Sequence, residues 1–87
     1  MESDNIRDRI SNIIINSFEN KGLIIDSPKS IDLVDDGGMD SVTFISIIVS
    51  IEVEFGILIP NEILLMDNFR SLDKIAKIVE MELKKLT

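Results

Sequence analysis

The sequence contains no cysteine and no histidine, and these two absences exclude most of the common kinds of catalytic and metal site. Without cysteine there is no disulfide, no thiolate nucleophile and no cysteine-ligated zinc. Without histidine the chain lacks the usual general base and the commonest metal ligand, so no Ser–His or Cys–His pair can form within it. We therefore expect the protein not to be an enzyme.

Basic residues are also scarce: nine lysines and arginines against sixteen aspartates and glutamates give a net charge of −7. Phosphate backbones and anionic membranes bind through basic side chains, so nucleic acid and membrane surfaces are poor candidates for the main partner. No apolar run reaches the roughly 18 residues of a membrane span, and the N-terminus lacks the pattern of a signal peptide. We expect a cytoplasmic protein.

Tryptophan and tyrosine are absent, so the core must be aliphatic, with four phenylalanines as its largest members. At 87 residues the chain has room for one core only, and we expect a single domain over residues 1–87. We also expect a monomer that starts and ends with the domain itself, as a free-standing protein does.

The spacing of apolar residues predicts an all-α protein, a small bundle of three main helices and one short helix. The first helix starts near a cap at Ser3 or Asp4 and carries apolar residues from position 6 to 18. The second runs from Ser41 to Phe55. A brief helical turn falls within residues 59–65, followed by a connection.

The last helix starts after Ser71 as its N-cap, and its apolar stripe extends to Leu86. A long loop over residues 23–40 separates the first two helices, because Ser-Pro and Gly-Gly steps break any helix there. Its apolar residues predict an ordered loop pinned to the core, and a short strand at residues 23–26 is the alternative.

The second helix has two apolar faces at helical spacing. One is expected to be the core face, and it comprises Phe44, Ile47, Ile48, Ile51 and Phe55. The other lies nearly opposite and comprises Val42, Ile45, Val49 and Val53. Either the long loop covers this second face, or it is exposed and marks a docking surface for a partner.

The second helix opens with Asp40-Ser41, which taken alone is most often a helix cap. The same position suits a modified serine, because the positive end of the helix dipole stabilises a phosphate there. Four segments in order give the sequence a wider pattern, and with it the chain resembles the acyl carrier protein family. They are residues 38–42 (Gly-Met-Asp-Ser-Val), 51–56 (Ile-Glu-Val-Glu-Phe-Gly), 59–62 (Ile-Pro-Asn-Glu) and 69–72 (Phe-Arg-Ser-Leu).

The resemblance implies that Ser41 carries 4′-phosphopantetheine, transferred from coenzyme A, whose thiol holds an acyl or aminoacyl group as a thioester. It implies that Asp40 takes part in recognition by a phosphopantetheinyl transferase, and that Val42, Ile45, Val49 and Glu52 belong to the partner-binding face. Further partners would be an acyl- or aminoacyl-activating ligase and synthase or transferase enzymes. The missing thiol would thus be supplied by the cofactor and the missing base by partners.

Two departures from the family pattern bear on the pathway. The second helix has acidic residues only at Glu52 and Glu54, where carriers of fatty acid synthesis have many, and Val42 follows the serine in place of leucine. We therefore expect a dedicated pathway, whether polyketide, lipid-like or non-ribosomal peptide, and leave the cargo open. The alternative is a non-catalytic helical adaptor that binds partners through Val42, Ile45 and Val49.

The acidic loop also invites a calcium-site interpretation, which fails on spacing. An EF-hand loop starting at Asp32 would place Val34, which has no oxygen ligand, at its third position and Thr43 at its twelfth, where a carboxylate is required. We therefore expect no metal site.

Overall fold

The computed structural model describes residues 3–86, with side chains from residue 5 onward, and has three α-helices and no strand in that range. The helices are α1 (Ser3–Glu19), α2 (Ser41–Phe55) and α3 (Leu72–Lys85), and α1 packs against both of the others. The predicted all-α bundle is confirmed, and α2 has the predicted bounds. The proposed caps of α1, Ser3 and Asp4, lie outside the described side chains.

Two short 3₁₀ helices connect α2 to α3, where the sequence predicts one. The first spans Asn61–Ile63 after Pro60, and the second spans Met66–Phe69. The second lies in the stretch predicted to be a plain connection. It forms because Phe69 is completely buried and meets the ring of Phe44 edge to face, with ring centroids 5.5 Å apart.

The core is aliphatic, as the composition predicts. All five predicted core residues of α2 are buried, at no more than 8 % exposure. Leu86 departs from the prediction: α3 ends one residue before it, and its side chain is exposed. Thr43, a polar residue in the first turn of α2, is buried as well.

The loop between α1 and α2 is ordered by contacts with Arg70. The Arg70 guanidinium lies 2.9 Å from the Asp32 carboxylate and 3.0 Å from the Asp35 carboxylate. The backbone carbonyl of Arg70 accepts the Leu33 N–H at 2.7 Å. Leu33 itself is completely buried. The prediction of an ordered loop pinned to the core is confirmed, and the alternative of a strand at residues 23–26 is wrong.

Candidate functional site

The start of α2 is fixed by Asp40, which is the N-cap residue. Its backbone is extended (φ −103°, ψ −179°), its Oδ1 accepts the Thr43 N–H at 2.8 Å, and its carbonyl accepts the Phe44 N–H at 2.9 Å. These bonds satisfy one of the free N–H groups of the first turn and begin the helical ladder. Gly38, at φ +70°, makes the turn that leads into the cap.

Ser41 is the first residue of α2 and is exposed. Because Asp40 caps the helix, the Ser41 hydroxyl is not needed for that purpose. No hydrogen bond of this hydroxyl is found within the described part of the chain. The side chain is therefore accessible and uncommitted at the positive end of the α2 dipole.

The Asp40 carboxylate is held in its ionised form. The Thr43 N–H is the main reason that the pKa of Asp40 lies below its ordinary value, and the ammonium of Lys21, 3.6 Å from Oδ2, lowers it further. The Asp40 side chain keeps 55 % of its surface exposed. It thus presents a negative charge beside Ser41 while it caps the helix.

A phosphodiester-linked group fits this position on the geometry of the chain itself. The Ser41 hydroxyl opens to solvent, and a Cβ added at the neighbouring Gly38 would meet nothing within 4 Å, so the space before the helix is open. The first-turn N–H groups and the dipole of a 15-residue helix favour a negative charge there.

The second apolar face of α2 is exposed and not covered by the loop. The exposed fractions are 63 % for Val42, 55 % for Ile45, 52 % for Val49 and 79 % for Val53. These four side chains form one stripe from the first turn of the helix to the last, which we call the exposed stripe. It starts one residue after Ser41.

Glu52, predicted to lie on the partner-binding face, is placed differently from the three apolar candidates. It is half-buried, and its Oε2 accepts the backbone N–H of Ile59 at 3.0 Å. The carboxylate therefore orders the chain just after α2. A partner that binds the Glu52 carboxylate would therefore bind a group that already accepts a hydrogen bond from Ile59.

The aspartates of the loop between α1 and α2 interact with N–H groups and an arginine of the chain itself. Asp32 Oδ1 accepts the N–H groups of Val34 at 2.9 Å and Asp35 at 2.8 Å. These N–H groups, led by that of Asp35, together with Arg70 hold the pKa of Asp32 below its usual range. Among the described residues no group of three or more acidic side chains is arranged to hold a metal ion.

Lys21 is a site residue that sequence reasoning missed. It lies 19 positions before Asp40, in the turn after α1, and only the folding of the loop brings the two together. Nothing in the local sequence marks it, since a lysine before a glycine is an ordinary helix stop. Val53 was recognisable as part of the exposed stripe from its helical spacing alone.

Comparison with known proteins gives one match. The family model described as phosphopantetheine attachment site matches residues 24–79, well over half of the chain, and this segment includes the loop, α2 and most of α3. No curated protein and no solved structure matches the chain. Within residues 3–86, no helix combines the length and apolarity needed to cross a membrane.

Proposed function

The chain belongs to the phosphopantetheine attachment site family, whose members carry covalent 4′-phosphopantetheine, and we propose that Ser41 is the residue that bears it. The observation that carries the proposal is the exposed, uncommitted hydroxyl at the N-terminus of α2, inside the matched segment.

The other serines of the matched segment are less suitable. The hydroxyls of Ser27 and Ser30 contact each other at 3.1 Å, and the Ser71 hydroxyl caps α3 by accepting the Lys74 N–H. Ser46 and Ser50 are half-buried in the middle of α2, where no free N–H groups are available to a phosphate. Ser41 alone combines exposure with a helix N-terminus.

When bound, the cofactor supplies a thiol that holds an acyl or aminoacyl group as a thioester. The residues of the chain hold and present that arm. Asp40 fixes the first turn of α2 so that Ser41 has one orientation, and the N–H groups of that turn stabilise the negative charge of the phosphodiester. Since the chain has no histidine or cysteine, the bases and nucleophiles for cargo transfer come from partner enzymes.

The exposed stripe is the surface through which partners recognise the carrier. Val42, Ile45 and Val49 run along α2 from the end that bears Ser41, so an enzyme seated on them has the arm within its reach. The partners are a phosphopantetheinyl transferase, for which Asp40 is a recognition residue, an activating ligase, and synthase or transferase enzymes. The apolar character of the stripe favours a dedicated biosynthetic pathway over general fatty acid synthesis. The proposal includes a single carrier domain over residues 1–87, monomeric, non-catalytic and cytoplasmic.

The attachment site is tested by incubation of the protein with coenzyme A, magnesium and a broad-specificity phosphopantetheinyl transferase, followed by intact-mass measurement. We expect a gain of one phosphopantetheine in the parent chain and in the control Ser30→Ala, and no gain in Ser41→Ala. A modified Ser41→Ala variant would refute the site. An unmodified parent chain, with a known carrier modified in parallel, would refute the carrier function.

The helical adaptor remains the second candidate, because the exposed stripe would serve it equally well. An adaptor would stay unmodified under the same conditions and would bind its partner with or without a cofactor. Ile45→Asp would abolish that binding. For the carrier, Ile45→Asp would instead slow the transfer of phosphopantetheine to an intact Ser41.

A further inference from the structure

A second apolar surface lies away from α2, in a groove between the 3₁₀ helices and α3. The groove has a volume of about 320 Å³, and its apolar lining comes from Ile63, Ile78 and Met81. Asn68 stiffens one wall, since its side-chain amide donates to the Ile63 carbonyl at 3.1 Å. Met81 keeps 59 % of its surface exposed. The groove is thus a preformed apolar surface open to solvent.

Two lysines, Lys74 and Lys77, complete the lining of the groove, and no acidic side chain contributes to it. Lys74 donates to the Asp67 carbonyl at 3.1 Å. The pKa of the Asp67 carboxylate is lowered mainly by Arg70, which pairs with it at 2.6 Å, and further by Lys74. The nearby acid Asp73 is paired with Arg7. The lining itself thus carries two positive side chains and no negative one, within a chain of net charge −7.

Lys77 differs from the other cationic side chains. Within residues 5–86 it is the one lysine or arginine with neither a hydrogen bond nor an ion pair, and it is exposed. No direct contact holds the Lys77 ammonium, so this charge beside the apolar groove is available to a ligand. Its position suits an anionic group brought by something that enters the groove.

We propose that this groove is a docking site for an acidic amphipathic helix of a partner protein. Apolar side chains of that helix would pack on Ile63, Ile78 and Met81, while its carboxylates meet Lys74 and Lys77. This is the helix-in-groove mode of recognition, in which apolar anchors give affinity and flanking charges give register and selectivity.

The dimensions of the groove agree with such an occupant. Lys74, Lys77, Ile78 and Met81 follow one another at helical spacing on one side of α3, so the surface extends about 10 Å along that helix, or two turns. A partner helix lying beside it presents two or three side chains over the same length. A membrane is a poorer fit, because an anionic bilayer would repel the whole acidic chain, whereas a single helix meets only the local lysines.

None of the lining residues belongs to α2 or to the turn before Ser41. A partner in the groove therefore leaves the exposed stripe and Ser41 free. This surface acts independently of the proposed attachment site, so the unmodified and the modified protein should bind the same helix with the same affinity.

The test uses the full ¹⁵N-labelled chain and a blocked synthetic peptide of about 15 residues, long enough to form helix. The peptide carries leucines at i, i+4 and i+7, with glutamates on both flanks. We expect amide shifts in ¹⁵N–¹H spectra at Ile63, Asn68, Lys77, Ile78 and Met81, with a dissociation constant of about 10–100 µM. A second peptide with lysine at every glutamate position should bind at least about tenfold more weakly.

Lys77→Glu should weaken binding of the acidic peptide by about tenfold, and Ile78→Asp should abolish it. Lys29→Glu is the matched control, because Lys29 is exposed but pairs with Asp8 far from the groove, and it should bind as the parent chain does. Lys77 is exposed, whereas Ile78 is half-buried and packs against the core, so Lys77→Glu is the decisive variant and the unperturbed signals of the spectrum verify that each variant is folded.

Four results would overturn the proposal: no shifts at millimolar peptide, shifts on the exposed stripe in place of the groove, equal binding of the two peptides, or unchanged affinity in Lys77→Glu. Vesicles containing anionic phospholipid serve as the competing probe. Shifts of the groove residues with vesicles but not with the acidic peptide would assign the surface to a membrane and refute the helix. None of these outcomes depends on whether Ser41 is modified.

Discussion

The two faces of α2 have the same kind of side chains and opposite surroundings. One is buried in the core, with Ile47 and Ile51 at 0 % exposure, and the other is the exposed stripe, with exposed fractions from 52 % to 79 %. Burial of the first face stabilises the fold, since each buried isoleucine contributes about 1.5–3 kcal/mol. The second face buries much less surface on folding. Three of its members are valines, which also lower helix propensity, so the stripe contributes little to the stability of the chain.

The largest contrast between the two faces should come from a carboxylate placed on each. Ile48→Asp would bury a charge at a site with 4 % exposure, at a cost of several kcal/mol in a domain whose total stability is about 5–15 kcal/mol. We expect this variant to be largely unfolded by circular dichroism. Ile45→Asp, at 55 % exposure, should remain folded. Loss of the helical signal in both variants would show that the stripe supports the fold after all.

A smaller contrast should come from truncation. Ile51→Ala creates a cavity in the centre of the core and should lower the free energy of unfolding by about 2–4 kcal/mol. Val49→Ala on the opposite face should change it by less than about 0.5 kcal/mol. Urea unfolding followed by circular dichroism measures both. Equal losses would mean that another part of the chain covers Val49 in solution.

Local signals made α2 predictable from the sequence. Its start is set by a cap on the adjacent residue, Asp40, and its end by Gly56, which adopts the left-handed conformation at φ +65°. The division into two faces follows from helical spacing, since every residue of one set is buried and every residue of the other is exposed. The start of α3 was readable for the same reason, because the Ser71 hydroxyl accepts the Lys74 N–H.

Long-range contacts explain what the sequence did not reveal. The second 3₁₀ helix depends on the burial of Phe69 against Phe44, 25 positions earlier. No local sequence pattern predicts that helix. Lys21 meets Asp40 only because the loop folds back. The groove beside α3 likewise joins Ile63 to Met81 across two separate elements. Sequence spacing identifies the faces of one helix, whereas a surface shared by two elements requires their relative placement.

The exposed stripe also allows a stabilising substitution. Val53 is 79 % exposed, so its truncation removes almost no buried surface, while alanine is the better helix former. Val53→Ala should therefore raise the free energy of unfolding by about 0.5 kcal/mol. Urea unfolding measures the change, with Ile47→Ala, on the buried face, as the destabilising control. A loss of stability in Val53→Ala would indicate packing that the exposed fraction does not reveal.

The smallest expected effect concerns the N-terminus of α2, where Asp40 caps the helix beside Ser41. The pKa of Asp40 is lowered from its ordinary value of 3.8, mainly by the Thr43 N–H, so its ionised form stabilises the folded state. This contribution is fully present above the unfolded pKa of 3.8 and is lost as the pH falls through the lower folded pKa. Acid should therefore weaken the cap.

Asp40→Asn removes the negative charge but keeps the capping hydrogen bond, because an asparagine oxygen can still accept the Thr43 N–H. Near neutral pH we expect the variant to melt slightly below the parent chain, since it lacks the charge and the contact with Lys21. As the pH falls through the folded pKa of Asp40, the two melting temperatures should converge, because the parent chain loses that charge by protonation. Thermal unfolding between about pH 7 and pH 2 measures the difference. A difference in melting temperature that stays constant over that range would mean that the charge of Asp40 does not stabilise the start of α2, and that the carboxylate acts there only as a hydrogen-bond acceptor.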